Sequence, residues 1–250
     1  MSTEDYIYVE GRAVESGQPV ENDFVYSEDG LLRDGGRSTF AFIEDQGLGG
    51  GGEFSAVLYS PSGSELSTIL IDGETTYQDG GIGWRVNGDG DGNEVDPDCY
   101  YDYAHNPDNT SVVYEDFESG DLSGYSGAKG SNFAVGSDTA QNGTYSLKGW
   151  SDARKRVVKS SPANEPTRGD PIKVFWKPTN NIERDGGTQH FQFALQENGT
   201  DGYGVGIRPS DNTWAAGIVQ DGDFQPSRFT RKSAPVDSYI GQWLYAVVRW

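Results

Sequence analysis

Ile172-Lys173-Val174-Phe175-Trp176 places large apolar side chains at every second position. The same beat returns in Phe191-Gln192-Phe193-Ala194-Leu195 and in Tyr203-Gly204-Val205-Gly206-Ile207. A period of two is the spacing at which successive side chains leave a strand on opposite faces, so each stretch reads as a strand with one buried face. Working outward, Val112–Glu118, Ser131–Val135, Tyr145–Gly149, Arg156–Ser160, Thr213–Val219 and Gln242–Trp250 continue the pattern, with Gly, Asn and Asp between them. Short strands punctuated in this way predict an antiparallel sandwich. Upstream, Tyr6–Gly11, Asp23–Tyr26, Ser38–Glu44, Glu53–Ser60, Ser67–Ile71 and Gly81–Val86 also alternate. With 35 Gly and 11 Pro in 250 residues and no sustained helical periodicity, the fold class is all-β.

Charge divides the chain. Met1–Thr110 carries 23 Asp and Glu against 4 Arg and no Lys, whereas Ser111–Trp250 carries 16 acidic and 15 basic residues. This contrast predicts two β-rich domains, 1–110 strongly acidic and 111–250 near neutrality, joined through the turn-rich run His105-Asn106-Pro107-Asp108-Asn109-Thr110. An excess of carboxylates with few Lys suits a protein that works in concentrated salt, where screening shortens the range of their repulsion. A net charge of −20 excludes nucleic-acid binding by counterion release. The single cysteine, Cys99, excludes an internal disulfide and a cysteine zinc cluster. The start Met1-Ser2-Thr3-Glu4-Asp5-Tyr6-Ile7 has neither the basic nor the apolar part of an export leader, and no run has membrane-spanning length.

In the first half, Thr39-Phe40-Ala41-Phe42-Ile43 and Phe54-Ser55-Ala56-Val57-Leu58-Tyr59 flank the glycine run of 46–52, which reads as a hairpin tip. That run lacks the Lys-Ser/Thr of a phosphate loop. In the second half, Val113-Tyr114-Glu115-Asp116-Phe117-Glu118-Ser119-Gly120-Asp121-Leu122-Ser123-Gly124-Tyr125 resembles the opening segment of jelly-roll carbohydrate-binding modules. Asn142-Gly143-Thr144-Tyr145-Ser146-Leu147, Val174-Phe175-Trp176, Phe191-Gln192-Phe193 and Gln242–Trp250 then follow in the order of laminin-G-like, concanavalin A-like domains. The resemblance implies a jelly-roll sandwich over residues 112–250 and a carbohydrate ligand. In such domains further strands follow the last motif, and this sequence stops on it. The sandwich is therefore expected to be incomplete at its C-terminus: either the chain is a fragment, or another subunit supplies the missing pairing.

Several clusters carry chemistry. Asp89, Asp91, Asn93, Asp96 and Asp98 place oxygens at close intervals in a glycine-rich run, the hard-ligand pattern that Ca²⁺ prefers, although it departs from an EF-hand. An acidic surface loop has the same composition. Glu115, Asp116 and Glu118 are a second such candidate. Arg154-Lys155-Arg156 with Lys159 lies near Trp150. This basic cluster suits an acidic sugar or sulfate with the indole stacked on the ring, or docking on an acidic stretch of this or another copy. His190 and Gln192 fall out of phase with Phe191 and Phe193, so they share the face opposite the core. Thr188-Gln189-His190-Phe191-Gln192-Phe193 resembles the Gln-x-His strand of sandwich-fold polysaccharide lyases, which implies an imidazole aimed at a glycan groove for β-elimination. A half-exposed strand histidine has the same pattern, and the paired carboxylates of a glycosidase strand are absent. The candidate ligand-binding residues are thus Trp150, Arg154, Arg156, His190 and Gln192, and no catalytic set is expected. Arg168-Gly169-Asp170 reads as a loop turn.

The function expected from these features is a non-enzymatic virion structural or host-attachment protein of a halophilic archaeal virus. An acidic module would be fixed in the particle, and a lectin-like sandwich would face host surface glycans. A homotrimer or homopentamer would supply avidity. The alternatives are a polysaccharide lyase or glycosidase on the same sandwich, and a purely architectural subunit.

Overall fold

The structure, a computed structural model, describes residues 7–9, 12–15, 18–19, 54–71, 80–87, 98–150, 155–179, 190–196, 201–220 and 223–250. The chain divides into two units, Met1–Glu53 and Phe54–Trp250. In the first, β1 (Ile7–Val9), β2 (Arg12–Glu15) and β3 (Gln18–Pro19) form a small antiparallel meander.

The second unit is all-β, with two antiparallel sheets packed face to face. Its strands are β4 (Phe54–Tyr59), β5 (Glu65–Ile71), β6 (Gly81–Asn87), β7 (Asp98–His105), β8 (Val113–Glu115), β9 (Ser126–Gly127), β10 (Phe133–Gly136), β11 (Ser146–Trp150), β12 (Lys155–Lys159), β13 (Ile172–Pro178), β14 (His190–Gln196), β15 (Gly202–Arg208), β16 (Thr213–Gln220), β17 (Asp223–Ser233) and β18 (Leu244–Arg249). One sheet runs β10-β11-β7-β13-β18-β4-β5, with β8 also on β7; the other runs β17-β16-β15-β14-β6-β12-β9.

Alternation decides what lies between the sheets. Ile172, Val174 and Trp176 of β13 meet Trp84 and Val86 of β6, Phe193 and Leu195 of β14, and Tyr203, Val205 and Ile207 of β15 in one apolar core. Trp84, Trp176 and Trp214 are its largest members, each at most 2% exposed. Burial on this scale contributes roughly 1.5–3 kcal/mol per large side chain before entropy is charged against it. The Trp84 ring meets the edge of Phe117 at 5.0 Å and of Phe193 at 5.6 Å, which ties the opening segment of the resemblance to the core. Phe117 reaches that position with φ 59°, a left-handed conformation uncommon for an aromatic residue.

This topology corrects three expectations. First, no domain boundary lies in 105–110. β7 pairs with β11 and β13, β6 with β12 and β14, and β4 with β18, so strands from both sides of Pro107 share both sheets. The charge contrast misleads because 12 of the 23 acidic residues of 1–110 precede Phe54, and seven of the eleven in 54–110 fall in the connections between β5 and β6 or between β6 and β7. Second, β18 is not an open edge. It lies inside its sheet between β13 and β4, so both its edges are paired within this chain. Third, β4 pairs with β5 and β18, which occupies both its edges and leaves no place for a hairpin with 39–43. Residues 39–43 themselves, the glycine run 46–52 and the expected strand Asp23–Tyr26 lie outside the described residues.

Candidate functional site

The outer face of the seven-stranded sheet is built by the residues that alternate with the core. Trp84 points inward, so its neighbours Gly83 and Arg85 belong to the outer face. Tyr203, Val205 and Ile207 leave Gly202, Gly204, Gly206 and Arg208 there, and Trp214 and Ala216 leave Ala215 and Gly217. Register aligns these positions into rows. One row runs Arg156, Arg85, Gln192, Gly206, Ala215, Arg231 across six strands. Its neighbour runs Val158, Gly83, Ala194, Gly204, Gly217, Phe229.

The centre of this face is therefore a floor of glycine and alanine, and arginines stand at both sides of it. Strands spaced about 4.8 Å apart make the row about 24 Å long. The floor itself is buried, with Ala194 5% and Ala215 3% exposed and every residue of β15 buried, so among its described residues the row meets solvent only at its two ends. Arg85 and Arg208 are sunk, 4% and 5% exposed, whereas Arg156 is half-buried and Arg231 exposed. Arg208 Nη2 holds Asp211 Oδ2 at 3.0 Å, while its buried Nε has no hydrogen-bond partner. Burial lowers the Arg208 pKa from its usual value and the nearby Arg231 charge lowers it further; Asp211 acts in the opposite sense. The Arg231 guanidinium also lies 5.7 Å from the Phe229 ring centroid.

Such an arrangement can hold anions. A guanidinium offers planar, paired donors to carboxylate or sulfate and stays charged when partly dehydrated. Arg208 is paired with Asp211 and Arg85 is engaged within the protein, so among the described residues Arg156 and Arg231 are the guanidiniums of this face that reach solvent.

The candidates named from sequence are distributed as follows. Arg156 belongs to the row just described. His190 pairs with Asn87 and Gln192 with Arg85 and Gly206, so both occupy register positions on this sheet; their side chains lie outside the description. Trp150 does not join them: it ends β11 in the other sheet, beside Lys148 and Tyr100. Arg154, Asp89, Asp91, Asn93 and Asp96 lie outside the described residues. Asp98 is the first residue of β7 rather than part of a loop, and its Oδ2 holds Lys148 Nζ at 2.8 Å. Among the described residues no group of three His, Cys, Asp or Glu is arranged to hold a metal ion.

The carboxylates of the opening segment are engaged within the protein. Glu115, 6% exposed, receives Tyr125 Oη and Lys159 Nζ on Oε2, both at 2.5 Å, and the Phe117 amide on Oε1 at 2.9 Å. Burial and the Glu115 charge push the Tyr125 hydroxyl far above its usual pKa. Glu118 Oε1 accepts from the Thr144 and Tyr145 amides at 2.8 and 2.7 Å. These groups pin loops, which is why acidic residues recur there.

Arg85, Arg208 and Arg231 were not among the sequence candidates. A signal existed: Gly202-Tyr203-Gly204-Val205-Gly206-Ile207-Arg208 alternates small with large residues and ends on a charge, the pattern of a strand whose second face carries no side chains until Arg208. The chain matches no protein-family model, no curated protein and no solved structure.

Proposed function

We propose that the chain is a non-enzymatic, lectin-like attachment protein that takes an acidic polysaccharide across the outer face of its seven-stranded sheet. The observation that carries this reading is the arginine set around a glycine–alanine floor: Arg156 and Arg85 toward one side, Arg208 and Arg231 toward the other. A uronate or sulfated chain would give its anionic groups to the exposed Arg231 and the half-buried Arg156 at the two ends of the row, with the buried Arg85 and Arg208 adding positive charge beneath. Oligomers of three or five copies would multiply such contacts. Of the grounds for a virion setting, the charge partition does not fall on a domain boundary, because strands of 54–105 and of 113–249 share both large sheets; the proposal made here concerns the binding activity.

The test is binding of the intact chain to immobilised polyuronate, sulfated polysaccharide and neutral glucan over a range of salt. Saturable binding to the acidic polymers, weakened by salt and by Arg231→Ala, is expected. Equal binding to all three, or to none, contradicts the proposal. Self-association through the same arginines would instead assign the face to an acidic segment of a second copy.

A second reading, a polysaccharide lyase, is favoured by one observation. His190 and Gln192 lie on β14, in register with Asn87 and Arg85 of β6, and β14 also borders β15. Unsaturated products from polyuronate, lost in His190→Ala, would select it.

A further inference from the structure

The outer face of the eight-stranded sheet has a separate groove of about 410 Å³ near its β10 edge. Gly149 explains its orientation: a Cβ there would lie 2.6 Å from the Phe133 ring, so Gly149 faces the core and Lys148 and Trp150 face out. Tyr100 of the adjacent strand β7 lies on the same side, between the inward Cys99 and Tyr101.

Polar groups tie this wall together. Lys148 Nζ pairs with Asp98 and lies 5.7 and 5.9 Å from the Tyr100 and Trp150 ring centroids. Tyr100 Oη donates to Asp138 Oδ2 at 3.2 Å. Asp138 belongs to the loop between β10 and β11, which Asp102 holds by accepting the Gln141 and Asn142 amides at 2.6 and 3.1 Å.

We infer that this groove is a second carbohydrate site, specific for a neutral sugar residue. Hydroxyl groups both donate and accept, so they need carboxylate acceptors (Asp98, Asp138) and an ammonium donor (Lys148) on one wall. The apolar C–H face of a pyranose needs an aromatic ring, supplied by Trp150 and Tyr100. Two carboxylates against one ammonium leave the wall negative, so uronate and sulfate are repelled. The site therefore has the opposite selectivity to the arginine face, and it lies on the other sheet.

The experiment titrates the intact chain with neutral hexasaccharides of glucose, mannose and galactose, and with a hexauronate, following tryptophan fluorescence and heat. At least one neutral oligomer is expected to bind and to lose tenfold or more in affinity in Trp150→Ala, with Arg231→Ala unchanged. The hexauronate is expected to show the reverse dependence. Lys148→Met, which keeps the aromatic wall intact, provides a second variant and is expected to weaken the same neutral ligand. No neutral binding, or neutral binding that survives both Trp150→Ala and Lys148→Met, overturns the inference. Neutral binding that is lost in Arg231→Ala also overturns it, while leaving the arginine face as the glycan site.

Discussion

Arg156 on β12 stands directly opposite Arg85 on β6, so two like charges face each other across a strand pair. Arg85 is the only Lys or Arg between 54 and 110, and the fold delivers it to the basic side chains of the second half. Like charges in directly opposed positions destabilise a sheet by a few tenths of a kcal/mol to about 1 kcal/mol. Arg156→Ala is therefore expected to leave stability unchanged or slightly raised while weakening acidic polysaccharide about tenfold, the loss of one charge-assisted contact. Chemical denaturation together with titration calorimetry checks both halves of this expectation.

Asp102 gives a pH signature. The side chain is 1% exposed, and burial raises its pKa to about 7 despite hydrogen bonds from the Gln141, Asn142 and Tyr103 amides, which lower it. An acid whose pKa is higher in the folded state stabilises the fold where that state alone keeps the proton. The contribution is complete below the unfolded value of 3.8 and is lost as pH rises through about 7. Stability should fall across that window by an amount on the order of 4 kcal/mol. Urea midpoints between pH 4 and 8 should show the slope in the parent, and Asp102→Asn should flatten it.

The unit boundary predicts how the chain can be cut. A chain of 54–250 contains every strand of both large sheets and should unfold in one cooperative transition. A chain of 111–250 lacks β4, β5, β6 and β7, including the strands between β11 and β13 and between β12 and β14, and should show no cooperative melt. Circular dichroism on the two fragments decides this.

The Glu115–Lys159 pair should be costly to break from one side. Lys159→Met leaves a buried carboxylate without its counter-charge, which costs about 3 kcal/mol or more. Replacing both residues by apolar ones should restore part of that loss. A double-mutant cycle in denaturant measures it.

Much of this fold is legible along the chain because burial alternates along it. Strands β4, β13, β14, β15 and β16 are visible wherever Ile, Val, Phe or Trp recur at every second residue. β7 is not, although it is a central strand. Its outer positions are Asp98, Tyr100 and Asp102, and Tyr103 interrupts it with φ 49°, so the residues resemble the end of an acidic loop. β17 hides for another reason: it is polar and contains Pro226, which an edge strand tolerates and an interior strand does not. Trp150 and Arg156 are close in sequence yet lie in different sheets, because the chain passes from one to the other between β11 and β12. Arg85 and Arg231, far apart in sequence, share a row because register depends on pairings that local pattern does not encode.

Hydrogen-exchange footprinting of the intact chain with an acidic oligosaccharide tests the central claim most directly. Added protection is expected in β6, β14, β15 and β16, the strands that carry the arginine row and its floor, with none at Trp150. Protection confined to the eight-stranded sheet, or no protection at saturating ligand, would contradict the account.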